Sequence, residues 1–277
     1  MKLLPAILVF ATYAAVSAAQ SGTTSTYSSS DYGSVSVDNE RRFGAFLAMG
    51  YGFPVGGRYI GSSEVYDLRD NWPHSPIDVE DHFLNYGRGI KVEGGVSYRF
   101  LERVRARLGF QFSGGTPKIG IVQDQRYNAR VTERTYRWSM FGIKGLVVPR
   151  FEVFELLDMY TGVGMGIFFT SSSYNITQTG GLTAKAEADH SPTIGFLGLY
   201  GVDFPIADNI MVFGELNLEA VRVTTKTLRV YDSNFSDGDA YPNSTENYED
   251  DVTDRDPRQR TPATNVALRL GVRFDIF

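Results

Sequence analysis

The stretch "NVALRLGVRFDIF", Asn265–Phe277, decides the fold. Read by twos, Val266, Leu268, Leu270, Val272, Phe274 and Ile276 fall on one face. Ala267, Arg269, Gly271, Arg273 and Asp275 fall on the other. A period of two sustained over this length is a β-strand whose two faces meet different surroundings. Phe277 has the parity of the charged set, so the oily parity ends on Ile276 rather than on the last residue.

The same pattern runs back through the chain. Val104, Ala106, Leu108, Phe110 and Phe112 alternate with Arg105, Arg107, Gly109, Gln111 and Ser113. Ile90, Val92, Gly94, Val96, Tyr98 and Phe100 alternate with Lys91, Glu93, Gly95, Ser97 and Arg99. Ile210, Val212, Gly214, Leu216 and Leu218 alternate with Met211, Phe213, Glu215, Asn217 and Glu219. Eight such segments are predicted, at 42–54, 87–100, 104–114, 132–148, 158–174, 191–205, 210–224 and 262–277, with ten strands if the first loop hides a further hairpin. The fourth is irregular: Tyr136, Trp138 and Met140 share one parity, then Phe141, Ile143, Gly145 and Val147 take the other. A β-bulge near Met140 would reconcile them.

The connections alternate in length. Short links follow the second ("LER", 101–103), fourth ("PRFEVFELLD", 149–158) and sixth ("IADN", 206–209) segments. About thirty residues follow the first and the seventh, and intermediate loops follow the third and fifth. Turns at one rim and loops at the other are the rhythm of an up-and-down barrel.

Alternation alone fits two barrels. A lipocalin-like barrel turns its oily face inward onto an apolar ligand. A membrane barrel turns it outward to lipid and lines its lumen with the charges. Three features favour the membrane. Small residues crowd the polar face (Gly44, Ala48, Gly50, Gly52; Gly162, Gly164, Gly166). Aromatics gather at segment ends (Tyr51, Phe53, Tyr98, Phe100, Phe110, Phe112, Tyr136, Trp138, Phe204, Phe274), as interfacial girdles do. Each segment is also long enough for the ~9–11 residues that a tilted spanning strand needs.

The N-terminus agrees. "MKLLPAILVFATYAAVSAAQ" has a basic start at Lys2, an apolar run from Leu3 to Val16, and small residues at a cleavage site. This is the signature of an export signal, and the run is too short for a spanning helix. Residues 1–19 are read as the signal peptide and the Ser/Thr-rich 20–40 as a flexible periplasmic tail. Residues 41–277 are read as the barrel. The chain has no cysteine, which excludes disulfides and Cys-ligated zinc. Its net charge of −5 argues against nucleic acid.

The signal, the eight alternating segments with long loops on one side, and the two-faced terminal strand together resemble small outer-membrane β-barrels of the OmpA/OmpX/OmpW type. The resemblance covers Arg41 to Phe277. It implies an all-β transmembrane antiparallel barrel in the cell outer membrane, with short periplasmic turns and long extracellular loops. Its implied partners are outer-membrane lipid and the barrel assembly machinery. The barrel is expected to be the last domain, without the peptidoglycan-binding domain that follows it in OmpA-like proteins.

On that orientation the lumen receives Lys91, Glu93, Arg99, Arg105, Arg107, Asp203, Glu215, Glu219, Arg269, Arg273 and Asp275. Eight strands leave little open space, so a salt-bridged plug is the favoured reading and a narrow solute path along the same charges the second. No cofactor and no metal ligand set is expected. His74, Asp78, Glu80, Asp81 and His82 cluster in the first loop but lack ligand spacing. "DSNFSDGD" (Asp232–Asp239) resembles a calcium loop, but its glycine falls one place late and its twelfth position is Asn243. The acidic stretch Glu246–Pro257 offers a surface for loosely bound divalent ions.

There is no Gly-x-Ser-x-Gly elbow and no P-loop, so no enzyme is expected. An enzymatic site using His190 ranks a poor third. The expected function is structural or interactive, with a monomeric barrel presenting loops one and four to an extracellular ligand or surface. A small-solute channel of the OmpW type is the alternative.

Overall fold

Strands rich in aromatic and aliphatic residues at period two, joined on one rim by turns too short for helical crossovers, satisfy their backbone by antiparallel pairing. The computed structural model describes residues 43–65, 78–101, 103–116, 118–123, 130–154, 157–178, 181–207, 209–234, 243–247 and 260–276. The proposed signal peptide and tail lie outside them, as does Phe277.

Fifteen strands follow in order: β1 (Phe43–Pro54), β2 (Arg58–Val65), β3 (Asp78–Leu84), β4 (Gly89–Leu101), β5 (Val104–Gly115), β6 (Lys118–Gln123), β7 (Arg130–Phe154), β8 (Leu157–Gln178), β9 (Leu182–His190), β10 (Thr193–Ala207), β11 (Ile210–Ala220), β12 (Arg222–Tyr231), β13 (Ser244–Asn247), β14 (Arg260–Pro262) and β15 (Asn265–Asp275). No helix occurs among the described residues.

Eight of these close a barrel. The ring runs β1–β4–β5–β7–β8–β10–β11–β15 and returns to β1, every pairing antiparallel. Closure leaves no edge inside the membrane, which a sheet in lipid requires. These eight coincide with the eight segments expected from the sequence. The hairpin of the first loop is real as well, but β2 and β3 form a separate two-stranded sheet and do not enlarge the barrel.

β7 and β8, 25 and 22 residues in all, run on past the ring and carry a second sheet beyond the long-loop rim. Its order is β6–β7–β8–β9–β12–β13. The intermediate loop expected after the fifth segment is mostly the β8–β9 hairpin. Gly181 (φ 82°) turns that hairpin in a backbone conformation that side chains disfavour.

The outer face of the barrel is a belt of exposed apolar side chains. Leu47 and Met49, Ile90 and Val96, Leu108 and Phe110, Ile143 and Val147, Met165 and Ile167, Phe196, Leu216, and Leu268 and Leu270 all point out, reaching 72% exposure at Leu270. The inner face of the same strands holds the charges, with Lys91 0% and Glu93 1% exposed. A soluble protein cannot keep this inversion, because large apolar side chains gain nothing from facing water while charges are costly to bury. The barrel is transmembrane.

The irregular fourth segment needs a correction. β7 and β8 stay in one register from Thr132 opposite Gln178 to Val147 opposite Val163, so there is no bulge near Met140. Tyr136, Trp138 and Met140 point inward together with Lys144, while Phe141, Ile143 and Val147 point to lipid. Tyr136 and Trp138 are therefore not girdle residues. The other proposed girdle aromatics, Tyr51, Phe53, Tyr98, Phe100, Phe110, Phe112, Phe204 and Phe274, are exposed.

Candidate functional site

The lumen is where the sequence placed its chemistry, and its walls differ. β4, β5, β11 and β15 contribute charges, because their inward parity carries Lys, Arg, Glu and Asp. β7, β8 and β10 contribute mainly Leu146, Val148, Tyr160, Phe168, Leu197 and Leu199, all buried. Small residues leave room for the long charged side chains. A Cβ on Gly50 would sit 2.1 Å from the Leu268 carbonyl oxygen and 2.6 Å from Arg269 Cγ. One on Gly109 would sit 2.7 Å from Glu93 Oε1.

Three buried carboxylates anchor the middle of the lumen. Glu93 accepts from Lys144 (2.7 Å), Arg107 (3.2 Å) and Arg269. Glu215 accepts from Arg269 (2.9 Å), Asn217 (3.2 Å), the Tyr160 hydroxyl (2.9 Å) and Arg107. Glu219 accepts from Lys144 (2.6 Å), Asn265 (3.0 Å), Gln111 (3.4 Å) and Lys91. Three of the four cations are shared: Lys144 bridges Glu93 and Glu219, and both Arg107 and Arg269 bridge Glu93 and Glu215, while Lys91 pairs with Glu219. Arg107 also lies over the Phe46 ring, 3.8 Å from its centroid.

A second tier lies near the short turns. Arg273 donates to Asp203 (2.7 Å) and Asp275 (3.2 Å), Arg105 approaches Asp275 at 3.5 Å, and Arg150 pairs with Asp158. Arg99 is half-buried there, its Nε without a hydrogen-bond partner. All eleven residues proposed for the lumen thus lie on its wall, in two tiers. Sequence reasoning missed Lys144, although it shares inward parity once Phe141, Ile143 and Val147 are taken as the lipid face. It missed Arg150 and Asp158 because both stood in an assumed turn. Gln111, Asn217, Asn265 and Tyr160, as uncharged members, carried no signal beyond parity.

Above the charged tiers, toward the long-loop end, the interior turns apolar. Tyr86, Trp138, Met140, Phe168, Val221, Val223 and Ala263 form one buried cluster. Within it Ser172 Oγ lies 2.9 Å from His190 Nε2 and 3.1 Å from the Tyr86 hydroxyl. Burial pushes His190 down to about 4. A serine beside a histidine invites comparison with a hydrolase, but no hydrogen bond reaches His190 Nδ1. Neighbouring Asp189 sits on the exposed face of β9. Among the described residues no carboxylate hydrogen-bonds Nδ1, the partner that orients the base in a Ser-His-Asp triad.

His74 lies outside the described residues, as do the side chains of Asp78, Glu80, Asp81 and His82. Of "DSNFSDGD" only Asp232, Ser233 and Asn234 are described, and Glu246–Pro257 has no described side chain. Asp232 pairs with Lys185 at 2.9 Å. Among the described residues no group of three or more His, Asp or Glu side chains is placed to hold a metal ion.

The fold is that of the small outer-membrane β-barrels that the sequence resembles, with a lumen filled by its own ion pairs. No protein-family model and no curated protein matches the chain. Three solved structures align with most of it. Neisserial surface protein A is 10% identical, with 85% of this chain and 97% of that one covered and a TM-score of 0.37. A major outer membrane protein from Thermus thermophilus is 12% identical, with 84% and 98% covered and a TM-score of 0.45. CarO2 of Acinetobacter baumannii is 14% identical, with 84% and 97% covered and a TM-score of 0.37.

Proposed function

We propose that the protein is a monomeric, non-enzymatic barrel of a bacterial outer membrane whose lumen is sealed and whose work is done by its long-loop end. The short turns face the periplasm, the side from which an exported chain with an N-terminal signal would insert. The β6–β7–β8–β9–β12–β13 sheet then stands outside the cell as a stiff platform for contacts with ligands or surfaces. The observation that carries the sealed lumen is the shared wiring of Glu93, Glu215 and Glu219. Each carboxylate holds at least two cations drawn from different walls, so the charges cross-link the barrel rather than line an open path. The apolar cluster around Trp138 and Phe168 continues the seal upward.

Planar bilayers test this. Purified protein is expected to insert without discrete conductance steps. Steps that change on neutralising Glu215 or Arg269 would replace the sealed barrel with the narrow channel. Whole-cell protease shaving tests the sidedness: cleavage is expected at the long-loop end and not at the short turns.

A further inference from the structure

The two tiers of lumen charge differ in how completely they are satisfied. In the middle tier every carboxylate is shared among several donors, and the atoms left open are Arg107 Nε, Arg269 Nε and Asn265 Oδ1, each on a side chain that is otherwise hydrogen-bonded. In the short-turn tier Arg105 is 7% exposed, yet its Nη1 and Nη2 make no hydrogen bond. Its contact with Asp275 is a long 3.5 Å ion pair from Nη2. Arg150 Nε and Asp203 Oδ1 are likewise buried without a partner. Buried guanidinium nitrogens left open are costly, and such a group in a native structure calls for an occupant.

The residues that carry these open atoms line one space. Arg105, Arg107, Arg150 and Arg273 line, with Asp203 and Glu215, a cavity of about 30 Å³ set in about 430 Å³ of atom-free space that includes open solvent. Arg150 and Asp158 at the rim remain partly exposed, with side-chain exposures of 18% and 17%. Among the described residues this tier holds four arginines (Arg99, Arg105, Arg150, Arg273) against three aspartates (Asp158, Asp203, Asp275), an excess of one positive charge.

We infer that this cavity binds a small oxyanion that carries a proton, of which hydrogen phosphate is the simplest. The terminal nitrogens of Arg105 form the planar fork that grips two oxygens of one oxyanion. Asp203 Oδ2 is engaged by Arg273, which leaves Oδ1 as a free acceptor on a residue that lines the same space. A protonated oxyanion donates its hydroxyl there while its other oxygens accept from Arg105. Sulfate has no proton to give at neutral pH and would set an oxygen against the carboxylate. The site therefore selects by hydrogen bond as well as by charge.

Isothermal titration of the folded barrel in neutral micelles, at pH 7 and fixed ionic strength, tests this with inorganic phosphate, sulfate and chloride as probes. Saturable phosphate binding is expected, with sulfate and chloride at least tenfold weaker. Arg105→Gln should weaken phosphate at least tenfold, and Asp203→Asn should narrow the phosphate–sulfate difference. Heat-modifiable migration reports whether each variant is folded. Should either misfold, amide shifts of the unmodified protein on phosphate addition decide, and they are expected at Ser97, Arg105 and Asp203. No saturable phosphate binding, equal binding of sulfate, an Arg105→Gln variant that binds normally, or shifts confined elsewhere would each overturn the site.

Discussion

The barrel within the lipid belt and the sheet beyond it are built from the same strands with opposite rules. On β8, Met165, Ile167 and Phe169 face out as an oily row, and the next outward positions, Ser171, Ser173, Asn175 and Thr177, are polar. The inward row changes the other way, from Gly162, Gly164 and Gly166 to Tyr174 and Ile176, where it meets Ala184, Ala186 and Val230. The register never breaks. What changes is the medium, from lipid to water, and with it the face on which apolar side chains are stabilised. Two solvents can thus be read along a single strand.

Several substitutions should break or sharpen this contrast. The largest effect is expected inside the belt. Glu93→Leu leaves Lys144 with Glu219 alone and Arg107 and Arg269 with Glu215 alone, an uncompensated buried positive charge, and removing one member of a buried ionic group costs ~3–5 kcal/mol. The urea midpoint of the barrel in micelles should fall accordingly, and an unchanged midpoint would show that water reaches the network. Beyond the belt, Trp138→Ala empties an apolar core and is expected to cost about 3 kcal/mol. Its effect should appear as lost amide protection in β8 and β9 before the barrel melts.

The boundary itself can be placed by a matched pair on one strand. Ile167→Arg puts a charge against lipid and should cost ~2–4 kcal/mol, whereas Asn175→Arg, eight residues on at the same parity, should stay within about 0.5 kcal/mol. Equal costs would erase the two-solvent reading.

A smaller effect concerns pH. Burial lowers His190 from its ordinary 6.5 to about 4, so the unfolded chain takes up the proton first. The outer sheet is then fully stable above about pH 6.5 and loses stability as pH falls toward 4. Amide exchange in β9 and β12 should speed up over that window and stop doing so in His190→Gln. The least effect is expected at the exposed Lys185–Asp232 pair, where Lys185→Ala should leave exchange rates unchanged.

Much of this is legible in the chain. The eight barrel segments, their outward parity and the lumen-facing charges follow from period-two alternation, which depends only on neighbouring residues along one strand. "NVALRLGVRFDIF" is the clearest case: Leu268, Leu270, Phe274 and Ile276 face out, and Arg269, Arg273 and Asp275 face in. Tyr136, Trp138 and Met140 defeat the same rule. Their shared parity is plain, but their place above the lipid is not visible along the strand, and an apolar row there reads as an outward one. The strands β9, β12, β13 and β14 also pass unrecognised, because short polar segments such as "LTAKAEADH" show alternation only when a partner strand gives them an inside.

Local alternation and loop length are enough to specify the eight barrel strands, their antiparallel order and the division into an oily and a charged face. Where lipid ends along β7 and β8, which carboxylate holds which cation, and that Arg105 is left with open nitrogens are settled only in the folded barrel. Those outcomes depend on side chains brought together across the barrel from positions as far apart as Glu93 and Arg269. The meeting of such residues is set by strand register and closure, which no single strand encodes.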